Sequence, residues 1–210
     1  MIKPTAFARL LWGVLAVVLL GSVGAWGWEW YRAQNALPVY GPVGEFTLIE
    51  RSGQPFNRSA LKGRVWIVNF FFSNCTEVCP RTMPELARLQ AAMADKTEVR
   101  LVSITVDPEH DTPAVLAEFA QRFDEAQPGR WYFLTGDRQT IYDLSLKTFH
   151  LAVEAVPLYQ RGPYDDGFLH DTHFVLVDRQ GQIRGYYDPF DAEAMARLLQ
   201  DVRSLTKWNF

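Results

Sequence analysis

The sequence predicts an α/β fold: a thioredoxin-like sheet flanked by helices, with an N-terminal hairpin extension and one N-terminal transmembrane helix. Three patterns predict it. Val65 to Phe72 is apolar at nearly every residue, as expected of a central strand covered on both faces. After it, strand and helix periodicities alternate twice, and the chain closes with a hairpin and a helix, which is the element order of such a sheet. Ahead of all this, Leu10 to Trp28 runs for 19 residues without a charge, the length that crosses roughly 30 Å of hydrocarbon as a helix.

Residues 1–29 are expected to form the membrane anchor. Lys3 and Arg9 precede the apolar run, and Glu29 and Arg32 follow it. That bias favours a cytoplasmic start and a domain on the periplasmic side. A cleaved signal peptide is the competing reading, with small residues at Val23-Gly24-Ala25. Residues 30–43, with Pro38, Gly41 and Pro42, read as a tether, and the domain as 44–207. Phe46 to Glu50 and Pro55-Phe56 flank a turn containing Gly53 and predict the hairpin extension. Beyond the central strand, Met83, Leu86, Leu89 and Met93 recur at helical steps from Pro80 onward.

Val99 to Val106 is a second β segment. Asp111-Thr112-Pro113 then supplies a cap and a first-turn proline for a helix carrying Leu116, Phe119 and Phe123. Trp131 to Leu134 predicts a strand, and Asp137 caps a helix through Ile141, Leu144 and Leu146. A polar loop, Gln160 to Leu169, precedes the hairpin of Phe174 to Asp178 and Ile183 to Tyr187. The closing helix starts near Asp191 and carries Met195, Leu198, Val202 and Leu205.

The 210 residues carry a net charge of −3, and the 21 basic residues are scattered, which argues against nucleic acid as a partner. An aromatic content of 14%, including seven Trp, suits a packed globule rather than a disordered chain.

Chemistry is expected at Cys75 and Cys79, the chain's two cysteines, which fall where the apolar strand stops and the helix starts. Side chains four residues apart share a helix face, so the pair can chelate a soft metal ion or close into a disulfide. The helix start favours thiolate, while Glu77 between the thiols opposes it. A purely structural disulfide gains little here, because the entropic benefit of a crosslink grows with the length of chain enclosed. Ligands gather outside the carboxyl ends of the strands, an edge to which Cys75, Asp107 and the loop before Phe174 all belong.

The chain has four histidines, His110, His150, His170 and His173. His170 and His173 stand where the polar loop meets the last hairpin. If one strand holds both, alternation turns them to opposite faces and only one meets the thiols. Two thiolates and one imidazole suit copper(I), whereas zinc would take a fourth ligand, for which Asp165, Asp166 and Asp171 are the nearby carboxylates. Asp107 and Asp111 read as a turn and a helix cap.

From Gly44 to about Leu205 the chain resembles the SCO/SenC family of thioredoxin-fold copper proteins, which serve cytochrome c oxidase assembly. The resemblance rests on Phe70-Phe71-Phe72-Ser73-Asn74-Cys75-Thr76-Glu77-Val78-Cys79-Pro80, with that family's CxxxCP spacing, and on Asp107-Pro108-Glu109-His110-Asp111-Thr112-Pro113. It implies copper, as Cu(I) or Cu(II), bound by Cys75, Cys79 and His170. In the family the ligand histidine lies eleven residues ahead of the glycine of an Asp-x-x-Gly turn, and counting back from Gly181 gives His170. Leu169 and Asp171 flank it where the family commonly has Asp before and Ser or Thr after, and His173 is the other imidazole to consider.

The implied function is a membrane-anchored copper metallochaperone that passes the ion to a cytochrome c oxidase subunit with a copper site, and is itself loaded by a copper-donor protein. Two rivals need only the thiols. One is a thiol:disulfide oxidoreductase with Cys75 attacking and Cys79 resolving; the other is a redox sensor.

Overall fold

The computed structural model describes residues 6–34, 36–76, 78–123, 129–155 and 168–206. The chain divides into two compact units, Met1–Leu37 and Pro38–Phe210. The first consists of one helix, α1 (Ala6–Gln34), whose large apolar side chains from Leu11 to Trp26 are exposed. Among the described residues, no helix is long and apolar enough to cross a membrane; the side chains described on α1 are those of residues 11–27. The expected helix is therefore present, and the expected transmembrane span is not shown by it.

In the second unit, the predicted tether is partly sheet. Gly41–Pro42 forms strand β1 opposite Ile183 and Gln182. Val43 is buried and donates its N–H to the Gly181 carbonyl at 2.8 Å. Pro42 made this segment look like a linker, but an edge strand tolerates proline, and residues 38–43 fall within the second compact unit.

The hairpin extension is β2 (Thr47–Glu50) with β3 (Pro55–Asn57). The central apolar run is β4 (Val65–Phe71), buried at every residue. It is followed by helix α2 (Cys79–Ala92), strand β5 (Val99–Thr105), helix α3 (Pro113–Ala120) and strand β6 (Trp131–Thr135). Thr112 caps α3, its side chain accepting the Val115 N–H. Asp137 caps α4 (Arg138–Asp143) by accepting the Thr140 N–H at 2.8 Å. A short two-stranded ribbon pairs β7 (Val153–Ala155) with β8 (Phe168–His170). Strands β9 (Phe174–Val177) and β10 (Gln182–Tyr187) form the last hairpin, and α5 (Ala192–Thr206) closes the chain.

The eight-stranded sheet has the order β1-β10-β9-β4-β5-β6-β2-β3. Its centre, β4, β5 and β6, is parallel, while β9 runs antiparallel to β4 and β2 antiparallel to β6. Phe71 pairs with Thr105, so β4 and β5 end together and their outgoing loops leave by one edge. The start of β9 returns to that same edge.

On one face, Trp66, Val68 and Phe70 pack with Val102, Ile104, Val175 and Phe149. On the other, Phe71 meets Phe119 of α3 at 5.2 Å between ring centres. That second face carries a buried polar chain: Trp131 Nε1 donates to Ser103 Oγ at 2.9 Å, and Ser103 Oγ donates to Asn69 Oδ1 at 2.7 Å. Ser103→Ala strands both an indole N–H and an amide oxygen, an expected loss of about 1–3 kcal/mol. Urea unfolding should show a lower midpoint with an unchanged slope.

Beyond α4 the chain continues as a π turn, Leu144–Thr148. The predicted helix through Leu146 is thus only half right: the wider turn leaves Leu146 exposed while Leu144 and Phe149 are buried. His150 follows in the left-handed region, at φ 54°, a backbone state that costs an L residue roughly 1–2 kcal/mol. Its side chain is exposed, so His150→Gly should raise stability, by up to about 1 kcal/mol after glycine's entropy cost. Thermal unfolding checks the sign.

Candidate functional site

Cys75 and Cys79 sit at the shared edge of β4 and β5. The helix signal and the spacing come together there in a specific way. No side chain of Val78, the residue before α2, caps the helix; instead the Cys79 N–H donates to Cys75 Sγ at 3.1 Å. Sulfur thus occupies the place of a capping oxygen, and a donor at a helix start stabilises negative charge on it. Cys75 is half-buried and its own N–H donates to the Phe72 carbonyl at 3.3 Å.

Cys79 is 3% exposed, and the two sulfurs are not joined as a disulfide. The Cys79 thiol is pushed well up, first by the hydrogen bond to Cys75, then by burial and by charge on Cys75. The Phe72 backbone works against that rise and Asp111 adds to it. Cys79 therefore holds its proton, and Cys75 is the more accessible sulfur. Glu77, expected to oppose the thiolate, lies outside the described residues.

Asp111 is no helix cap, since Thr112 does that work. It is fully buried and accepts the Ser73 N–H at 3.0 Å, the Ser73 hydroxyl, and the Thr105 hydroxyl at 2.5 Å. Thr105 Oγ1 in turn accepts the Asp107 N–H at 3.0 Å, as expected of a turn at that residue. Desolvation, then the neighbouring Asp111, hold the Asp107 carboxyl above its ordinary range. Sequence reasoning missed Asp111 because an Asp before a Thr-Pro helix start is adequately explained as a cap. A serine two residues ahead of the first cysteine was the one available hint of a buried acceptor.

The two candidate imidazoles lie in different elements. His170 ends β8, where its backbone pairs with Val153, and the next N–H, that of Asp171, donates to the Ala152 carbonyl at 2.8 Å. Position 170 thus stands at the end of a paired ribbon. Two positions earlier, the Phe168 ring packs on Phe72 at 5.1 Å between centres, which brings β8 against the segment leading to Cys75. His173 precedes β9, and both its N–H and its Nδ1 meet Asp171 Oδ1, at 2.9 and 2.6 Å. The alternation argument fails because residues 171–173 separate β8 from β9.

The side chain of His170 lies outside the described residues, as do Asp165, Asp166 and most of the loop from Gln160 to Leu169. Among the described residues, no group of three or more His, Cys, Asp or Glu side chains is assembled to hold a metal ion. His110 is exposed and lines a cleft of about 440 Å3 beside the thiol loop, with Phe72, Asn74, Asp107, Arg138 and Phe168.

A sheet with a parallel centre, and a Cys-x-x-x-Cys-Pro segment opening the helix after its central strand, defines a thioredoxin-like thiol protein. Residues 38–207 match the family model described as SCO1/SenC, and the chain belongs to that family. It is 31% identical over 169 residues to the SCO1 protein homolog of Bacillus subtilis, covering 80% of this chain and 84% of that one. Among solved structures, BsSco, described as a member of the Sco family of cytochrome c oxidase assembly proteins with a disulfide switch, matches at a TM-score of 0.67 and 29% identity, over 81% of this chain and 97% of that one. ScoI of Bradyrhizobium japonicum, solved with copper bound, matches at 0.60 and 27%, over 78% and 99% respectively.

Proposed function

We propose that the protein is a membrane-anchored copper metallochaperone that holds copper(I) through Cys75, Cys79 and His170 and passes it to a copper centre of cytochrome c oxidase. The observation that carries this reading is the edge itself: the Cys75 sulfur receives the first helical N–H, and Phe168 fastens the strand ending in His170 to Phe72. Two sulfurs and one ring nitrogen form a soft, low-coordinate set suited to copper(I). His173 is the other candidate, because an Nδ1 held by Asp171 is the arrangement in which Nε2 can bind a metal, and it is the family register that favours His170. Family membership and the copper-bound ScoI of Bradyrhizobium japonicum support the cargo.

Cys79 keeps its proton in the absence of metal, so loading displaces it. Copper(I) affinity should therefore rise with pH, about tenfold per unit where one proton is released. Competition titration at several pH values checks this.

The decisive experiment titrates the reduced full chain with copper(I), then mixes the loaded protein with the copper-site domain of an oxidase subunit. The wild type should bind one equivalent and transfer it. His170→Ala should bind much more weakly, and His173→Ala as the wild type does; the reverse order would mean that His173 is the ligand.

The asymmetry of the thiols, Cys75 half-buried and Cys79 buried, favours a second reading, thiol:disulfide exchange. The Cys75 thiolate attacks a partner disulfide and releases one partner thiol. The Cys79 thiol then attacks Cys75 Sγ, releasing the second and leaving an internal disulfide. This needs no imidazole, so full reductase activity in His170→Ala together with unchanged copper binding would favour the enzyme.

For the anchor, the support is a helix with 19 uncharged residues and exposed apolar side chains. Alkaline extraction of membranes should retain the full chain and release a variant lacking residues 1–29. The domain is proposed to face the periplasm, where a copper-donor protein would load it.

A further inference from the structure

We propose that Asp111 is a positioning residue for the thiol pair: its buried carboxylate clamps the strand-end loop at Ser73 to the end of β5, and so sets where the Cys75 sulfur stands against the α2 amino terminus. The inference deepens the copper reading and rests on it for the metal readout alone.

Three donors converge on this one carboxylate. Oδ2 accepts the Ser73 N–H at 3.0 Å and the Thr105 hydroxyl at 2.5 Å, and Oδ1 accepts the Ser73 hydroxyl. The carboxylate is wholly removed from solvent, where hydrogen bonds to a charged group are strong and leaving one unmade is expensive. Its partners span the edge: Ser73 lies between Phe72 and Asn74 on the outgoing loop of β4, and Thr105 ends β5. Asp111 itself is tied by its own N–H to the Asp107 carbonyl at 2.9 Å.

Cys75 also reaches back to the Phe72 carbonyl at 3.3 Å, and the described residues of this loop, 73–76 and 78, lie in neither helix nor strand. One residue, Asn74, separates the clamp at Ser73 from the cysteine whose sulfur caps α2. Releasing it frees the loop to shift relative to the Cys79 N–H, and displacements of an ångström or less degrade a preformed site.

A merely structural role would lower stability and leave the sulfurs' chemistry unchanged. The test therefore compares Asp111→Ala, Asp111→Asn and Ser73→Ala in the full chain, reading thermal unfolding, copper(I) affinity, and the thiol–disulfide equilibrium in glutathione buffers. Asp111→Ala should lose affinity by roughly 10–100-fold, as when the support of a metal ligand is removed, and should shift the glutathione ratio at half-oxidation. Asp111→Asn retains an acceptor and should restore most of both. Ser73→Ala, which keeps the backbone donor, should be intermediate and remains informative if Asp111→Ala does not fold.

Variants that unfold earlier yet match the wild type in copper affinity and in half-oxidation ratio would overturn the proposal. If the wild type itself binds no copper(I), the copper reading fails alone, and the thiol–disulfide ratio still decides whether Asp111 positions the pair.

Discussion

Cys79→Ser is expected to leave a folded protein that no longer retains copper(I). The sulfur lies at 3% exposure at the first residue of α2, and serine is close enough in shape to leave the surrounding packing intact. What changes is softness. A hydroxyl is a poor ligand for copper(I), and it does not ionise in the accessible pH range as a thiol does on loading. The loss should exceed the roughly 10–100-fold typical of removing an outlying support. Cys75→Ser should do the same to copper and also remove the sulfur that caps α2. Competition against a chromogenic copper(I) chelator measures both, with circular dichroism confirming the fold. Affinity within threefold of the wild type for either variant, a margin of about 0.65 kcal/mol, would mean that the metal is held elsewhere.

The second large effect is expected at Phe72, which is 2% exposed and lies against Phe168. Phe72→Ala removes a whole ring from a closed interior and should cost about 3–5 kcal/mol, a large share of the 5–15 kcal/mol that holds a typical domain. Phe72→Leu, which keeps most of the volume, should cost under about 1.5 kcal/mol. The pair of variants separates packing from placement. Denaturant midpoints report the first, and copper affinity of the stable leucine variant reports whether the ring contact also holds β8 beside the thiols. Equal stability of wild type and Phe72→Ala would contradict the closed packing described for this edge.

Legibility in the sequence followed the strength of the local physics. Val65 to Phe71 could be read as a central strand because both of its faces are covered, which leaves no alternation to confuse it with an edge. The capping role of Asp137 was readable because a short polar side chain before a helical pattern has few other uses; at α3 the cap was read one residue early, at Asp111, where Thr112 holds the role. Strand β1 was not readable, since Gly41 and Pro42 carry the signature of a linker and join the sheet through partners in β10, Ile183 and Gln182, far along the chain. The ribbon was hidden for a similar reason: its strands have three residues each, too few for a period to emerge.

The thiol pair was legible from spacing and from its place at a strand–helix junction. Its supports were not. Asp111 acts through tertiary hydrogen bonds to Ser73 and Thr105, and no local pattern distinguishes such a carboxylate from a cap. The choice between His170 and His173 came from family register, while the structure adds that the two stand in separate elements and that His173 is engaged by Asp171.

X-ray absorption on the copper(I)-loaded full chain tests the central claim most directly. The account predicts two sulfur neighbours and one imidazole nitrogen around the ion, with the nitrogen signal lost in His170→Ala and kept in His173→Ala. An environment without sulfur, or a nitrogen signal indifferent to position 170, would contradict it.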